Sequence, residues 1–452
     1  MAVQSKRGHT GVPAPALGEE ATVMALRAPP EWLSWFVWII GAVFYLIAFY
    51  QRVSPAVMTG ELMRDFQIGA KQLGNLSAFY FYLYVAMQIP IGILIDRWGA
   101  KKVLIAGCLS AAAGAFLFGT TDSFVVACTG RAVIGGATAV GWLVILKLAT
   151  HWFPRRQFAM LSGLGLFIGN MGSLTAQVPL RLLIESFGWR TIAIASGIVT
   201  LAIGLLASIL VKNDPADKGF ISYAPNEVRD RATTNFRAVL TGLRRVFGYT
   251  NTWLIFLAQG GMVGPVLSFT GLWGVPFLAR RYGLSPKSAA AICSIMIVCW
   301  AVASPICGSL SDRIGRRKPI YLGGAVISTI GWIILFYASA LPVVAFVIVA
   351  AITTLACGSG VLGFAYSKEK VPVRYVGTIS AVTNIGNMLG PTLLQPGIGW
   401  MLDKRWTGEI LHGNRLYSVH AFEAAFVLIV LWSTLSCILI SLTKETYCAQ
   451  NA

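Results

Sequence analysis

Two short stretches of one pattern constrain this chain more than anything else in it: Gly92-Ile-Leu-Ile-Asp96-Arg97-Trp-Gly99-Ala-Lys101-Lys102 and Gly308-Ser-Leu-Ser-Asp312-Arg313-Ile-Gly315-Arg316-Arg317-Lys318. Their aspartates stand 216 residues apart. Each stretch ends one long apolar run and begins another, so each reads as a tight basic hairpin between two membrane-crossing helices. A hairpin that recurs half a chain later signals a duplicated membrane protein. The glycines let two helix ends approach, and a carboxylate beside guanidinium and ammonium groups forms a charge network that breaks when the helices shift. The hairpins are therefore expected to act as gating latches, through Asp96, Arg97 and Lys101 in the first and Asp312, Arg313 and Arg316 in the second.

Apolar runs of about 20 residues, enough to cross a bilayer, lie near 32–56, 73–95, 103–121, 124–149, 158–180, 190–211, 250–278, 288–310, 319–340, 342–366, 376–400 and 420–443. The pattern predicts an all-α membrane protein of twelve transmembrane helices in two pseudo-symmetric six-helix bundles, 32–211 and 250–443. Residues 212–249 would be a cytoplasmic linker, and 1–31 and 444–452 cytoplasmic tails, the first disordered and lacking the apolar core of a cleavable signal peptide. A net charge of +18 would suggest nucleic acid in a soluble chain. With 56% hydrophobic and 12% charged residues, however, the basic groups fall in loops, and topology explains them better than a polyanion does. Segments assigned to the cytoplasm hold 23 Lys and Arg against 10 outside, which puts both termini inside, in a bacterial inner membrane. The eight cysteines are scattered, without C-x-x-C or a neighbouring His, and indicate neither a disulfide framework nor a metal site.

The duplication reaches past the hairpins. Trp152-Phe-Pro154-Arg-Arg156 returns as Lys370-Val-Pro372-Val-Arg374. Gly169-Asn170-Met171-Gly172 returns as Gly386-Asn387-Met388-Leu-Gly390, followed by Gln177 and Pro179 in one copy and by Gln395-Pro396 in the other. Such repeats place a binding site at the interface of the halves, near the midplane. An ion at membrane depth is costly and marks function by default. No acidic residue and no histidine falls mid-span: His9, His151, His412 and His420 lie in loops, tails or at span ends. Arg52 in the first span and Arg131 and Lys147 in the fourth remain. A guanidinium held away from water is best satisfied by carboxylate or phosphate. The bland readings are snorkelling to headgroups for Arg52 and Lys147, and a helix brace for Arg131.

The paired hairpins resemble the signature loops of the major facilitator superfamily, and Arg131-x-x-x-Gly135-Gly136 resembles a further motif of it. The resemblance implies that the first, fourth, seventh and tenth helices line a central cavity. Phe49-Tyr-Gln-Arg52, Glu61-Leu-Met-Arg-Asp65-Phe66, Gln88-Ile-Pro90-x-Gly92, the spacing of Arg131 before Trp152-Phe-Pro154, and Phe187-Gly188-Trp189 resemble the anion:cation symporter family more closely. By that resemblance Arg52 and Arg131 are the substrate-anion ligands. Thr138 stands where the family's proton-coupling acid would be, Ser77 where some members carry histidine, and no arginine lies between Asn251 and Leu278. Nitrate porters share the Gly-Asn segments but need arginines in the second and eighth helices, which these spans lack. Drug exporters would want a buried acid and a different fifth span.

Tyr45, seven residues before Arg52, together with Asn170, Gln259 and Asn387, complete the expected substrate site. Gly260-Gly261-x-x-Gly264-Pro265 would interrupt or kink the seventh span. The reading that emerges is a carrier without cofactor, not an enzyme: a monomer in the lipid bilayer, moving a small organic anion, without nucleic acid. A proton or sodium ion could accompany it, Glu423 being one terminal acid able to couple; exchange and facilitated movement stay open. A zwitterionic or neutral cargo such as an amino acid or dipeptide, or a non-transporting sensor on the same fold, are the alternatives. The short linker and tails favour a carrier over a sensor.

Overall fold

The computed structural model describes residues 27–224, 236–372, 375–411 and 413–449. The expected tail is thus described only from Arg27, and part of the linker, Arg374 of the second Pro-Arg element, His9 and His412 lie outside the described residues. Ten helical stretches are long and apolar enough to cross a membrane. One of them, Ala70–Thr120, holds two spans, because Gly99 breaks its helical path at φ +78° and ψ 163°. The helix Val376–Lys404 adds a further span that hydropathy understates, being rich in Gly, Pro, Asn and Gln yet buried against the second and seventh spans. The result is twelve spans, six before the linker and six after it.

The first span runs over Glu31–Val57, the second and third over 70–98 and 100–120, the fourth over Phe124–Trp152, and the sixth over Trp189–Leu210. The fifth is Phe158–Thr175 continued by Val178–Phe187. The seventh to tenth are Thr250–Tyr282, Pro286–Ile314, Lys318–Tyr337 and Val343–Glu369; the eleventh is Val376–Lys404 and the twelfth Val419–Leu442. A two-residue antiparallel pair, Ile410–Leu411 with Asn414–Arg415, joins the last two.

The hairpin glycines divide into two kinds. Gly99 and Gly315 take φ of +78° and +70°, a left-handed turn that a side chain would strain, which lets consecutive spans reverse at Gly99 alone in the first hairpin and over 315–317 in the second. Gly92 and Gly308, expected to permit close approach, have nothing within 4 Å of a Cβ built on them. Close packing is instead the work of the Gly-Asn segments. A Cβ at Gly172 would be driven into the Leu46 carbonyl oxygen of the first span, and one at Gly386 would stand 2.5 Å from the Phe256 oxygen of the seventh. The fifth span thus lies backbone to backbone on the first, and the eleventh on the seventh, the small-residue contact that lipid-embedded helices use.

The seventh span departs from the expected break at Gly260–Pro265. It stays α-helical over Thr250–Ser268, and its irregularity is a π-turn at Phe269–Trp273. Pro265 has no N–H to give the Gly261 carbonyl, and Ser433 of the twelfth span supplies the donor at 3.2 Å. Around the π-turn, Gln177 of the fifth span donates to the Thr270 oxygen at 2.9 Å and Gln395 of the eleventh to the Leu267 oxygen at 3.3 Å. The two glutamines of the repeated Gln-Pro element therefore serve as a pair, one from each half.

Near the hairpin face each half binds its own trailing segment. The Lys101 N–H donates to Asn213 Oδ1 at 2.8 Å, Trp152 Nε1 to the Lys212 oxygen at 3.2 Å, and His151 Nδ1 lies 2.8 Å from Asp214. Burial works to raise the Asp214 carboxyl, but hydrogen bonds from the Ala216 N–H, His151 and Ser222 outweigh it and hold it below the usual carboxylate range. In the second half Glu445 accepts the N–H groups of Arg317 and Lys318 at 3.1 and 3.0 Å.

Gly172→Val is expected to push the first and fifth spans apart and to lower stability by about 1–3 kcal/mol. Gly163→Ala in the same helix meets nothing within 4 Å and should be neutral. Thermal unfolding of the two purified variants checks the contrast, and equal midpoints would remove the close contact.

Candidate functional site

The first span ends in Arg52, and the burial of that residue sets the site. Only 5% of its surface is exposed. Its guanidinium lies over the rings of Phe49 (4.3 Å), Tyr84 (5.0 Å) and Tyr80 (5.7 Å), and Nε donates to the Tyr80 hydroxyl at 3.4 Å. Phe49 comes from the same helix, whereas Tyr80 and Tyr84 are one turn apart on the second span and stack at 5.9 Å. Tyr80 is further fixed by bonds to the Ala48 oxygen (3.3 Å) and to Thr138 Oγ1 (2.8 Å). Among the described residues no carboxylate pairs with Arg52. Aromatic quadrupoles and one hydroxyl thus compensate the buried charge in part and leave guanidinium donors without a protein acceptor among the described residues.

Arg131 lies behind the same ring. It is 1% exposed, stands 5.2 Å from the Tyr80 centroid and 5.9 Å from that of Phe118, and its Nη1 donates to the Gln51 carbonyl at 2.7 Å. That bond ties the fourth span to the first, next to Arg52 in sequence. Arg131 Nε and Nη2 and both polar atoms of the Gln51 carboxamide have no protein partner. Arg131 and Gln51 line a cavity of about 20 Å³ with Ser54, Phe118 and Ser196, room for one water molecule. Tyr45 packs on Phe49 at 4.8 Å and on Trp142 of the fourth span at 5.6 Å. The structure therefore brings Tyr45, Arg52 and Arg131 into one cluster.

The other expected ligands are placed differently. Gln259 is fully buried within the second half, where Nε2 donates to the Gly360 oxygen and Oε1 accepts from the Tyr321 hydroxyl, both at 3.0 Å. Asn170 spends its amide on Leu166 of its own helix. Asn387 is buried with Oδ1 unpartnered, the arrangement of a side chain ready for a further donor. Ser77 is buried with its hydroxyl unpartnered too. Glu423 pairs with His420 at 2.9 Å near the end of the twelfth span.

At the hairpins, Asp96 pairs with Lys147 of the fourth span at 3.2 Å, so that lysine is a hairpin partner rather than a headgroup anchor. Asp312 pairs with Arg317 at 2.6 Å, and Arg317 also holds Glu369 at the end of the tenth span at 2.8 Å. Arg97, Arg313 and Arg316 are exposed; Arg316 lies over the Tyr447 ring at 5.8 Å. Lys101 contributes its backbone N–H to Asn213, as described above. The sequence reading missed Tyr80, Tyr84 and Arg317. The four-residue spacing of the two tyrosines puts them on one helix face, but the neighbouring rings of Phe79, Phe81 and Tyr82 leave nothing in the sequence that singles them out.

The hydrogen bonds that join the halves cluster away from the hairpins. Besides Gln177 to Thr270, Asp403 of the eleventh span accepts the N–H groups of Ala70 and Lys71 at the start of the second, at 3.1 and 2.9 Å.

The sequence profile described as Major Facilitator Superfamily matches residues 37–394 and 262–446. The chain is 23% identical over 430 residues to the probable galactarate/D-glucarate transporter GarP of Escherichia coli, covering 87% of this chain and 89% of that one. It is 22% identical to a putative tartrate transporter of Agrobacterium vitis, over 82% and 83% of the two chains. It is 26% identical to the probable sulfoacetate transporter SauU of Cupriavidus necator, a match that spans 60% of this chain and 64% of that protein. Among solved structures, a bacterial homologue of the human lysosomal transporter Spinster, in an inward-facing and unoccupied conformation, superposes with a TM-score of 0.74 at 16% identity, over 91% of this chain and 97% of that one. The fold, the repeated hairpins and these matches agree: the chain belongs to the Major Facilitator Superfamily and is a membrane transporter related to anion carriers.

Proposed function

We propose that this carrier moves a small organic anion, bearing a carboxylate or phosphate, by rocking its two halves about a site anchored by Arg52. The observation that carries the reading is the cage of Phe49, Tyr80 and Tyr84, in which a buried guanidinium is without an acidic partner among the described residues. A carboxylate guest would complete the charge and take the planar donors of Arg52 in pairs. The relatives named for galactarate/D-glucarate, tartrate and sulfoacetate, all carboxylates, support the same class. A zwitterion would bring an ammonium as well, and the aromatic faces it would seek are already taken by Arg52 and Arg131. Arg131 then acts as the brace that keeps Tyr80 and the first span in register, with Tyr45 closing the cage from the side. Asn387 offers a polar contact from the second half.

The excess of basic residues on the hairpin face supports a topology with that face and both chain ends in the cytoplasm of a bacterial cell. Two observations support an inward-open arrangement. The bonds between halves lie on the far face, and the hairpin charges bond within their own half: Asp96 to Lys147, and Arg317 to Asp312 and Glu369. Gly92 and Gly308, with open space before them, are the surfaces that would meet when the cytoplasmic side closes. Glu423, in contact with His420 at the outer end of the twelfth span, is the acid to which coupling of a proton is assigned in this reading.

Arg52→Ala is expected to weaken anion binding roughly 10- to 100-fold, the loss of charge-assisted hydrogen bonds worth about 1.5–3 kcal/mol. Arg52→Lys should keep part of the affinity. Thermal-shift titration with tartrate, glucarate and sulfoacetate against dipeptide reads this out; undiminished affinity in the alanine variant would return Arg52 to a packing role. Asp96→Asn should leave the midpoint and anion affinity unchanged while slowing uptake into proteoliposomes several-fold. Wild-type initial rates would end the gate assignment.

A further inference from the structure

The start of the second span has an unmet need that the chain satisfies from the other half. A helix leaves its first N–H groups without internal partners, and a polar side chain at the preceding position usually takes them. At the eighth span this is so: Ser285 Oγ accepts from the Ser288 N–H at 3.2 Å, and Pro286 follows, with no N–H to place. The position 216 residues earlier, the offset of the two hairpins, is Gly69, which has no side chain, and Ala70 stands in place of the proline. The repeat is broken here in both residues, and the break creates free donors.

Asp403, at the outer end of the eleventh span, fills them. Its two oxygens accept the N–H groups of Ala70 and Lys71 at 3.1 and 2.9 Å, and Tyr417 donates its hydroxyl to Oδ1 at 2.5 Å while accepting from the Ala70 N–H at 2.9 Å. Arg415 completes the ring at 3.5 Å. Burial together with the bond to Asp403 raises the Tyr417 hydroxyl above its ordinary range, which keeps it a donor. A Cβ at Gly69 would stand 2.8 Å from both carboxylate oxygens, so the missing side chain is also what admits the aspartate. A negative charge against the positive end of a helix is favourable in itself.

We infer that Asp403 is the outer latch of the carrier: a carboxylate of one half that caps a helix of the other, holding the outer side shut and released when that side opens. The inference rests on the reading that the two halves rock, and not on the identity of the cargo. Release costs the second span its cap, since Gly69 offers no substitute, so the latch biases the unloaded carrier toward the inward-open state.

Hydrogen–deuterium exchange of the purified full-length protein, without substrate, tests it. In Asp403→Ala the amides of 70–75 should exchange about tenfold faster. Those of the hairpins at 96–102 and 312–318 should slow, because molecules that open outside close inside. Tyr417→Phe, a milder change that removes only the bridging hydroxyl, should shift both faces in the same directions by a smaller factor, and covers the case in which the alanine variant fails to fold. Asp122→Ala, an exposed acid of the same face paired only with Arg190, should leave both rates as they are. Faster exchange at 70–75 with no slowing at the hairpins would make Asp403 a local cap and overturn the latch, as would unchanged rates on both faces. Either result leaves the Arg52 affinity measurement standing, so the two readings fail separately.

Discussion

Two guanidinium groups held in the first bundle, without a counter-carboxylate among the described residues, set the terms for the rest of this structure. Charge at membrane depth must be compensated by something. Here Tyr80 does it for both, with Arg52 at 5.7 Å and Arg131 at 5.2 Å from one ring. The compensation is partial by design of the elements: ring faces attract a cation but do not neutralise it, and the Gln51 carbonyl uses a single donor of Arg131. The anion preference proposed for this site rests on that incomplete compensation, and the geometry of the cluster depends on whatever positions the second span, where Tyr80 and Tyr84 sit.

Backbone satisfaction is the second constraint, because lipid offers no hydrogen bonds. The seventh span, carrying Pro265 and a π-turn, would be the weak point of the second bundle. Its stray carbonyls are met instead by Ser433 at Gly261, Gln177 at Thr270 and Gln395 at Leu267. One of these donors belongs to the other half. An irregular helix tied to both halves is placed to change its bonding when they move, whereas Gln259, spent on Gly360 and Tyr321, braces the second half internally.

What could be read from the residues divides along physical lines. Hairpins, spans and duplication were legible because hydropathy and turn chemistry are local, and the eleventh span was read from its apolar run over 376–400, with its Gly-Asn segment marking the repeat. Burial of Arg52 was legible because a charge inside an apolar run has few places to go. The aromatic cage was not: Phe79 to Tyr84 presents rings on every face of the helix, and a 3.6-residue period cannot choose among them. The partner of Asp96 was not legible for a similar reason. Lys147 is far from Asp96 in the chain, and only the packing of the fourth span brings it into reach; Arg317 stands in the same hairpin as Asp312, and it is its second partner, Glu369, that the tenth span supplies.

Helix caps show how a duplicated chain can be rigid within halves and separable between them. The third span of the first half begins at 100–101, and Asn213 from the segment after the sixth span takes the Lys101 N–H. The ninth span begins at Lys318, and Glu445 from the segment after the twelfth takes the N–H groups of Arg317 and Lys318. Burial alone would raise that Glu445 carboxyl, but these donors with Thr446 and Tyr447 outweigh it and hold it below the usual range, as expected of an ionised cap. Both caps are drawn from the same half, so the rocking proposed above would leave them whole. The second span takes its cap from across the interface. The same chemistry thus sews each half together on the hairpin face and joins the halves on the opposite one, and what distinguishes a strap from the proposed latch is only which half supplies the acceptor.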